Sequence, residues 1–353
     1  MQKDMHYYGT YALARAAGIK PEDAQIIASA AQFVDDNEKK VEIDFTDKGS
    51  LYSRPTGHNI FDIDNRDTDD QRVVWVPFHF LPGGAGYTFE EKIVCQMDSG
   101  IAREMCANYQ AKKDKKFYRE LIGIAAHVYA DTFSHYGFSG LSSDQNDIDN
   151  GSIELDPSLG DDFKDKIKGG DSDFLRKFVS HAAEKASKKL GHGSVLEYPD
   201  IPCLKWSFKY EHREGIINRD NPATFLQACE ALYNFFREVC ENYPEIYEGS
   251  HRNFAEIKNT LQSDIIPYQD LVEGRIEKWK DSFRDPTSNF TPTGEEFLEY
   301  LGDKWNEQRE SLDDTAHSSE VVDRPVYQFY KAASYHRHYI LRDLLPEKKI
   351  VVS

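Results

Sequence analysis

No stretch of the chain reaches the roughly 18 consecutive apolar residues that a membrane-spanning helix needs. The opening residues, MQKDMHYYGTYALARAAG, lack the apolar core of a secretory signal and carry Lys3 and Asp4. Cysteine is sparse. Cys95, Cys106, Cys203, Cys229 and Cys240 are odd in number and show no CxxC spacing. The simplest reading is a reducing cytoplasm with buried or inert thiols. Positive charge is also short, with 43 Lys and Arg against 61 Asp and Glu and a net charge of −18. That balance argues against a general nucleic-acid or anionic-membrane binder, because either polyanion is repelled at long range. Bound divalent cations lie outside this sum, so a local positive site remains compatible with it. Hydrophobic residues make up only 39% and mean hydropathy is −0.67, but aromatics reach 13%. A chain of 353 residues with this composition is a folded, strongly hydrated protein whose core leans on Tyr and Phe.

Strand signals are few and no internal repeat is present. Residues 73–80, VVWVPFHF, are the best strand candidate. Helical spacing is clearest at 21–34, 116–138 and 223–240, and predicts further helices at 89–110, 172–190, 254–282, 294–311 and 325–344. The expected fold is therefore an all-α multi-helix bundle. Residues 37–72 and 139–171 read as long loops, the second an acidic surface excursion. Metal-type motifs concentrate before residue 253, which predicts a metal-binding helical domain over 1–253. Residues 254–353 form a C-terminal helical extension or part of the same bundle.

The strongest chemical signal is AAHVYADTFSHYGFSG, with His127, Asp131 and His135 at i, i+4 and i+8. Each four-residue step turns about 40° beyond a full circle, so the three side chains share one helix face. Their neighbours, including Ile122, Ile124, Val128 and Phe133, are apolar. Burying two imidazoles and a carboxylate is costly unless something neutralises them. Zinc would do so, taking neutral imidazole nitrogen and carboxylate oxygen; the alternative is a hydrogen-bonded polar triad in the core. Partners from elsewhere would complete a metal site. Candidates are Asp4 and His6 in DMHYY, Asp35 and Asp36 in FVDDN, His79 in PFHFLP, and His192 and Asp200 in GHGSVLEYPD. His58 in RPTGHN competes with His79 as a ligand. His336 and His338 stand two apart, facing different sides of a helix outside the proposed cluster.

These same segments resemble an uncharacterised bacterial family of helical proteins. That family is more distantly similar to the superfamily of zinc-dependent phospholipases C and single-strand nucleases. The resemblance covers roughly residues 1–205. It implies an all-α fold and a cluster of one to three zinc ions, with His127 and Asp131 as ligands and Asp131 bridging. By the same resemblance an acid of FVDDN, Asp35 or Asp36, and His79 or His58 complete the first site. His6 with Asp4 serves a second, and His135, His192 and Asp200 a third. The chain departs from the superfamily in three places. Three residues rather than five separate Asp131 from His135, no HxxxE pair surrounds His192, and Met1 replaces an N-terminal Trp ligand.

The implied function is metal-dependent hydrolysis of a phosphoester, with Asp35 or Asp36 as ligand or base. The acidic charge favours a small soluble substrate over a membrane lipid. A di-iron oxidase is disfavoured, because only one Glu-x-x-His occurs, Glu248 to His251. The contrasting reading is a non-enzymatic helical interaction protein with a structural metal. In that case Tyr327, Phe329, Tyr330, Tyr335 and Tyr339 could form a self-association surface, although core packing explains them more simply.

Overall fold

The computed structural model describes residues 1–58, 70–169, 191, 195, 197–314 and 317–352. Helix α1 begins in π register over Asp4–Gly9 and continues as an α-helix over Thr10–Ala16. α2 (Pro21–Asp36) starts on Pro21, where no N–H is required, with Glu22 and Asp23 near the positive end of its dipole. A hairpin follows, β1 (Val41–Asp44) antiparallel to β2 (Ser50–Ser53). Next come α3 (Gln71–His79, in π register), the single turn α4 (Phe89–Lys92), α5 (Gly100–Gln110) and α6 (Tyr118–Ser134). β3 (Ile148–Leu155), α7 (Asp161–Gly169), β4 (Lys205–Tyr210) and β5 (Ile217–Asp220) lead into α8 (Asn221–Asn242). The chain ends with α9 (Phe254–Thr260, extended in π register as Leu261–Ile265), α10 (Val272–Arg284), α11 (Gly302–Glu310) and α12 (Pro325–His338, extended in π register as Tyr339–Leu344).

The expected all-α fold is wrong. Helices dominate, but β1–β2 and the antiparallel sheet β3–β4–β5 make the architecture mixed α/β. The strands are short, and β3 is polar, mostly outside the core and bulged between Asp149 and Glu154. Conversely, VVWVPFHF is helical rather than extended. Its Pro77 is accommodated by π register, which shifts the bonding past the missing N–H. The expected helix 89–110 is interrupted between Lys92 and Gly100, where Asp98 takes a φ of 49°. The expected helix 172–190 lies outside the described residues.

α6 is the hub, buried along nearly its whole length, with α2, α5, α8 and α12 packed around it. α2 approaches it to backbone distance. A Cβ at Gly123 would lie 2.2 Å from the carbonyl oxygen of Ile27. About two turns beyond this contact on each helix stand Asp35 and Asp131, so the crossing delivers both carboxylates to one place. The main core runs from Met5 and Ala12 through Leu121 and Ala125 to Phe329, Ala333 and Leu344. The C-terminal segment therefore shares one core with the rest of the chain. Phe329 and Tyr330 are buried in it, and Tyr327, Tyr335 and Tyr339 pack on it, so these aromatics serve core packing.

A second apolar cluster joins Trp75, Phe80 and Phe138 to the inward face of β4, Trp206, Phe208 and Tyr210. This sheet brings the turn Tyr198–Asp200 and the side chain of Arg219 to the end of α6. No helix among the described residues is long and apolar enough to cross a membrane.

Candidate metal centre

The face of α6 predicted from spacing is real and points inward. His127, Asp131 and His135 are all buried, and four other elements close over them. His6 comes from the π segment of α1, Asp35 from the last turn of α2, His79 from the end of α3, and Asp200 from the turn before β4. The C-terminus of α6 is fixed by Arg219, whose guanidinium donates to the carbonyls of Ser134 and Tyr136. Arginine there satisfies carbonyls left open by the helix end and opposes the dipole.

Asp131 sits at the centre with its two oxygens facing different groups. Oδ2 lies 3.2 Å from His127 Nε2, 3.6 Å from His79 Nδ1 and 3.5 Å from His135 Nδ1. Oδ1 lies 3.2 Å from His6 Nε2. Asp35 Oδ1 is 3.7 Å from His79 Nδ1 and 3.8 Å from His127 Nε2. His135 Nε2 is 3.1 Å from Asp200 Oδ1. Ligand atoms of His6, His127 and Asp131 all lie within 4.8 Å of one another, as do those of Asp35, His79 and His127.

Two backbone carbonyls each take a ring proton from a histidine of the cluster. His79 Nε2 lies 2.9 Å from the carbonyl oxygen of Thr56, and His135 Nδ1 lies 2.8 Å from that of His79. A carbonyl only accepts, so each ring carries its proton on that side. His79 Nδ1 is left as a lone pair turned into the cluster, as a neutral metal ligand requires, whereas His135 Nε2 meets the Asp200 carboxylate at 3.1 Å. The loop bearing Thr56 lies close on α2. A Cβ at Gly57 would stand 2.7 Å from the carbonyl oxygen of Asp35, so only glycine permits this approach.

The electrostatics suit a bound divalent cation. Burial, then the neighbouring Met1 amine, lowers the pKa of His6. Burial, then His6, lowers that of His127 well below its usual value. The two rings stack at 3.9 Å between centroids, an arrangement suited to neutral rings. Burial pushes Asp131 up, but His135 and then the Met1 amine pull it well below the usual carboxylate range. Asp35 is raised well above that range by burial and then by Asp131, although a third of its side chain reaches solvent. Two carboxylates facing one space resist joint ionisation unless a cation separates them. Neither nitrogen of His6, nor His127 Nδ1, nor Asp131 Oδ2 makes a hydrogen bond, an unusual concentration of orphaned buried polar atoms. Imidazole nitrogen with carboxylate oxygen is a donor set zinc accepts, so these residues fit a divalent metal.

Several predicted residues stand elsewhere. Asp4 turns away from the cluster and pairs with Arg275 of α10, with Oδ2 2.7 Å from Nε. Asp36 accepts from Gln32 Nε2 and from the Tyr300 hydroxyl, so Asp35 is the acid of FVDDN that faces the histidines. His58 lies 2.9 Å from Asp70 and outside the cluster, leaving His79 as the ligand candidate. His192 lies outside the described residues. One participant is absent from the sequence-derived set. The α-amino group of Met1 is 2.5 Å from Asp131 Oδ1, 3.1 Å from Asp200 Oδ1 and 3.4 Å from His135 Nε2. Burial lowers its pKa, but Asp131, Asp200 and Asp35 outweigh this and raise it to about 11.

This buried cluster of histidine and aspartate belongs to a helix-dominated protein of one continuous main core. The chain is a member of DUF6765, a family of unknown function whose model matches residues 1–344. That match spans the cluster and the C-terminal helices together. No curated protein and no solved structure matches the chain.

Proposed function

We propose that the protein is a zinc-dependent hydrolase of small, soluble phosphoesters. The observation that carries this reading is the convergence of His6, Asp35, His79, His127 and Asp131, whose facing atoms include the tautomer-fixed lone pair of His79 and several orphaned polar atoms. Asp35, His79, His127 and Asp131 Oδ2 would hold one ion. Asp131 Oδ1 and His6 would offer donors to a second, beside the Met1 amine that meets Asp131, Asp200 and His135, so Asp131 would serve both ions. Bound divalent ions would supply polarisation of a phosphoryl oxygen and a more acidic water. Asp35 is the carboxylate at the solvent side, with 32% of its side chain exposed. It is placed to orient an attacking water and take its proton. That exposure supports a catalytic site over a structural one, since structural zinc sites are closed by protein ligands.

The charge of −18 supports a small anionic substrate held by the ions over a polyanion or a lipid surface. Five free, buried thiols support the cytoplasm as its compartment. The full-length protein should hydrolyse bis(p-nitrophenyl) phosphate or p-nitrophenyl phosphate. A chelator should abolish the activity, zinc should restore it, and phospholipid vesicles should be poor substrates. A zinc-loaded protein inert toward monoesters, diesters and phospholipids would instead support a structural metal.

A further inference from the structure

The end of α3 depends on groups far away in the sequence. Pro77 has no N–H, so Val73 loses its α-helical donor, and π register takes over, with Phe80 N bonding Trp75 O at 2.9 Å. The carbonyl left by the missing Pro77 N–H and those at the helix end need donors from outside. Two donors come from α12. Arg337 Nε donates to Val73 O at 2.8 Å, and His336 Nε2 donates to Pro77 O at 2.7 Å. Because that carbonyl only accepts, His336 holds its proton on Nε2, and its Nδ1 receives the Tyr109 hydroxyl from α5 at 2.7 Å. His336 is fully buried, and burial lowers its pKa to about 3, so it is a neutral ring with a fixed tautomer.

The same pair reaches the other side of His79. The Arg337 guanidinium also donates to the carbonyl of Pro55, while its plane lies 4.9 Å from the Phe78 ring. Pro55 adjoins Thr56, whose carbonyl takes the His79 Nε2 proton. Thr56 is tied in turn to α2, through its hydroxyl to Val34 O at 2.8 Å and its N–H to Asn37 O at 3.0 Å. α12 thus holds both the helix that carries His79 and the segment that sets its tautomer.

We propose that His336 and Arg337 are positioning residues for the metal ligand His79, braced by Tyr109 and acting through the Pro77, Val73 and Pro55 carbonyls. The proposal rests on the metal-centre reading above. Without the brace, His79 can carry its proton on Nδ1, presenting an N–H where a lone pair is needed. The role is held within residues 254–353, which gives the C-terminal segment a part in the site.

The test uses full-length protein with 15N-labelled histidine. Long-range 15N–1H correlation of the metal-free protein reads the His79 tautomer, and competition with a chromophoric chelator reads cobalt affinity. Wild type should show His79 as the Nε2–H form. His336→Leu should move it toward the Nδ1–H form and weaken cobalt binding by about 10- to 100-fold, the range for outer-shell partners of a metal ligand. His336→Gln keeps a donor near the Nε2 position and should restore both readings. Should His336→Leu fail to fold, Arg337→Lys carries the test, since a single ammonium cannot span Val73 O and Pro55 O together. The proposal is overturned if these folded variants keep the wild-type His79 tautomer, whether cobalt binding is retained or lost. A wild-type protein that binds no cobalt would sink the metal reading, and the metal-free tautomer would still decide the brace.

Discussion

Asp131→Asn should leave the purified protein without stoichiometric metal, with affinity reduced by more than about 100-fold, beyond the usual range for outer-shell changes. The amide keeps the shape of the side chain but removes the charge that faces His6 through Oδ1 and His127 and His79 through Oδ2. Asp200→Asn should lose less, because Asp200 meets His135 and the Met1 amine at the edge of the cluster. Chelator competition on the folded fraction of each variant measures the difference. Equal losses from the two would show that Asp131 does not bridge.

The second large effect is alkaline destabilisation. All five thiols are buried, and burial raises each pKa from 9.0, to about 11 for Cys203, to about 12 for Cys229 and Cys240, and further for Cys95 and Cys106. Between pH 9 and these folded values the unfolded chain binds fewer protons than the native one, so stability falls as pH rises. Each thiol costs about 1.4 kcal/mol per pH unit in that window. Five thiols then remove about 5–7 kcal/mol by pH 10, as much as many domains possess. The Met1 amine adds a loss of the same sign between pH 8 and about 11. Urea midpoints under reducing conditions should therefore drop steeply from pH 7.5 to pH 10. A midpoint that stays level across that range would contradict the burial of the thiols.

The part of the site visible in the sequence is the part written in helical period. His127, Asp131 and His135 share a face because of their spacing alone, and apolar neighbours mark that face as buried. Adjacent acids carry no such information. Asp35 and Asp36 are separated by about 100° on α2, and Tyr300, over 260 positions away, takes the second. Asp4 was lost to Arg275 for the same reason, a long-range partner with no local signature. His336 lies outside the cluster, yet its bond to Pro77 O, a contact with no local sequence signature, ties it to His79.

The missed sheet divides in two. β3 contains Asp149, Asn150 and Gly151 and is irregular, so its pattern was hidden. β4 was legible. KWSFKY alternates Trp206, Phe208 and Tyr210 inward with Lys205, Ser207 and Lys209 on the other face, which is the period of a half-buried strand. VVWVPFHF misled because β-branched and aromatic residues outweigh helix signals in a short window, and π register has no simple sequence period.

Elemental analysis of the full-length protein, purified without chelator, tests the central claim most directly. At least one equivalent of a divalent metal, zinc foremost, should be present and should disappear in His127→Ala. Wild-type protein that carries no stoichiometric metal and takes up none when zinc is supplied would contradict the account.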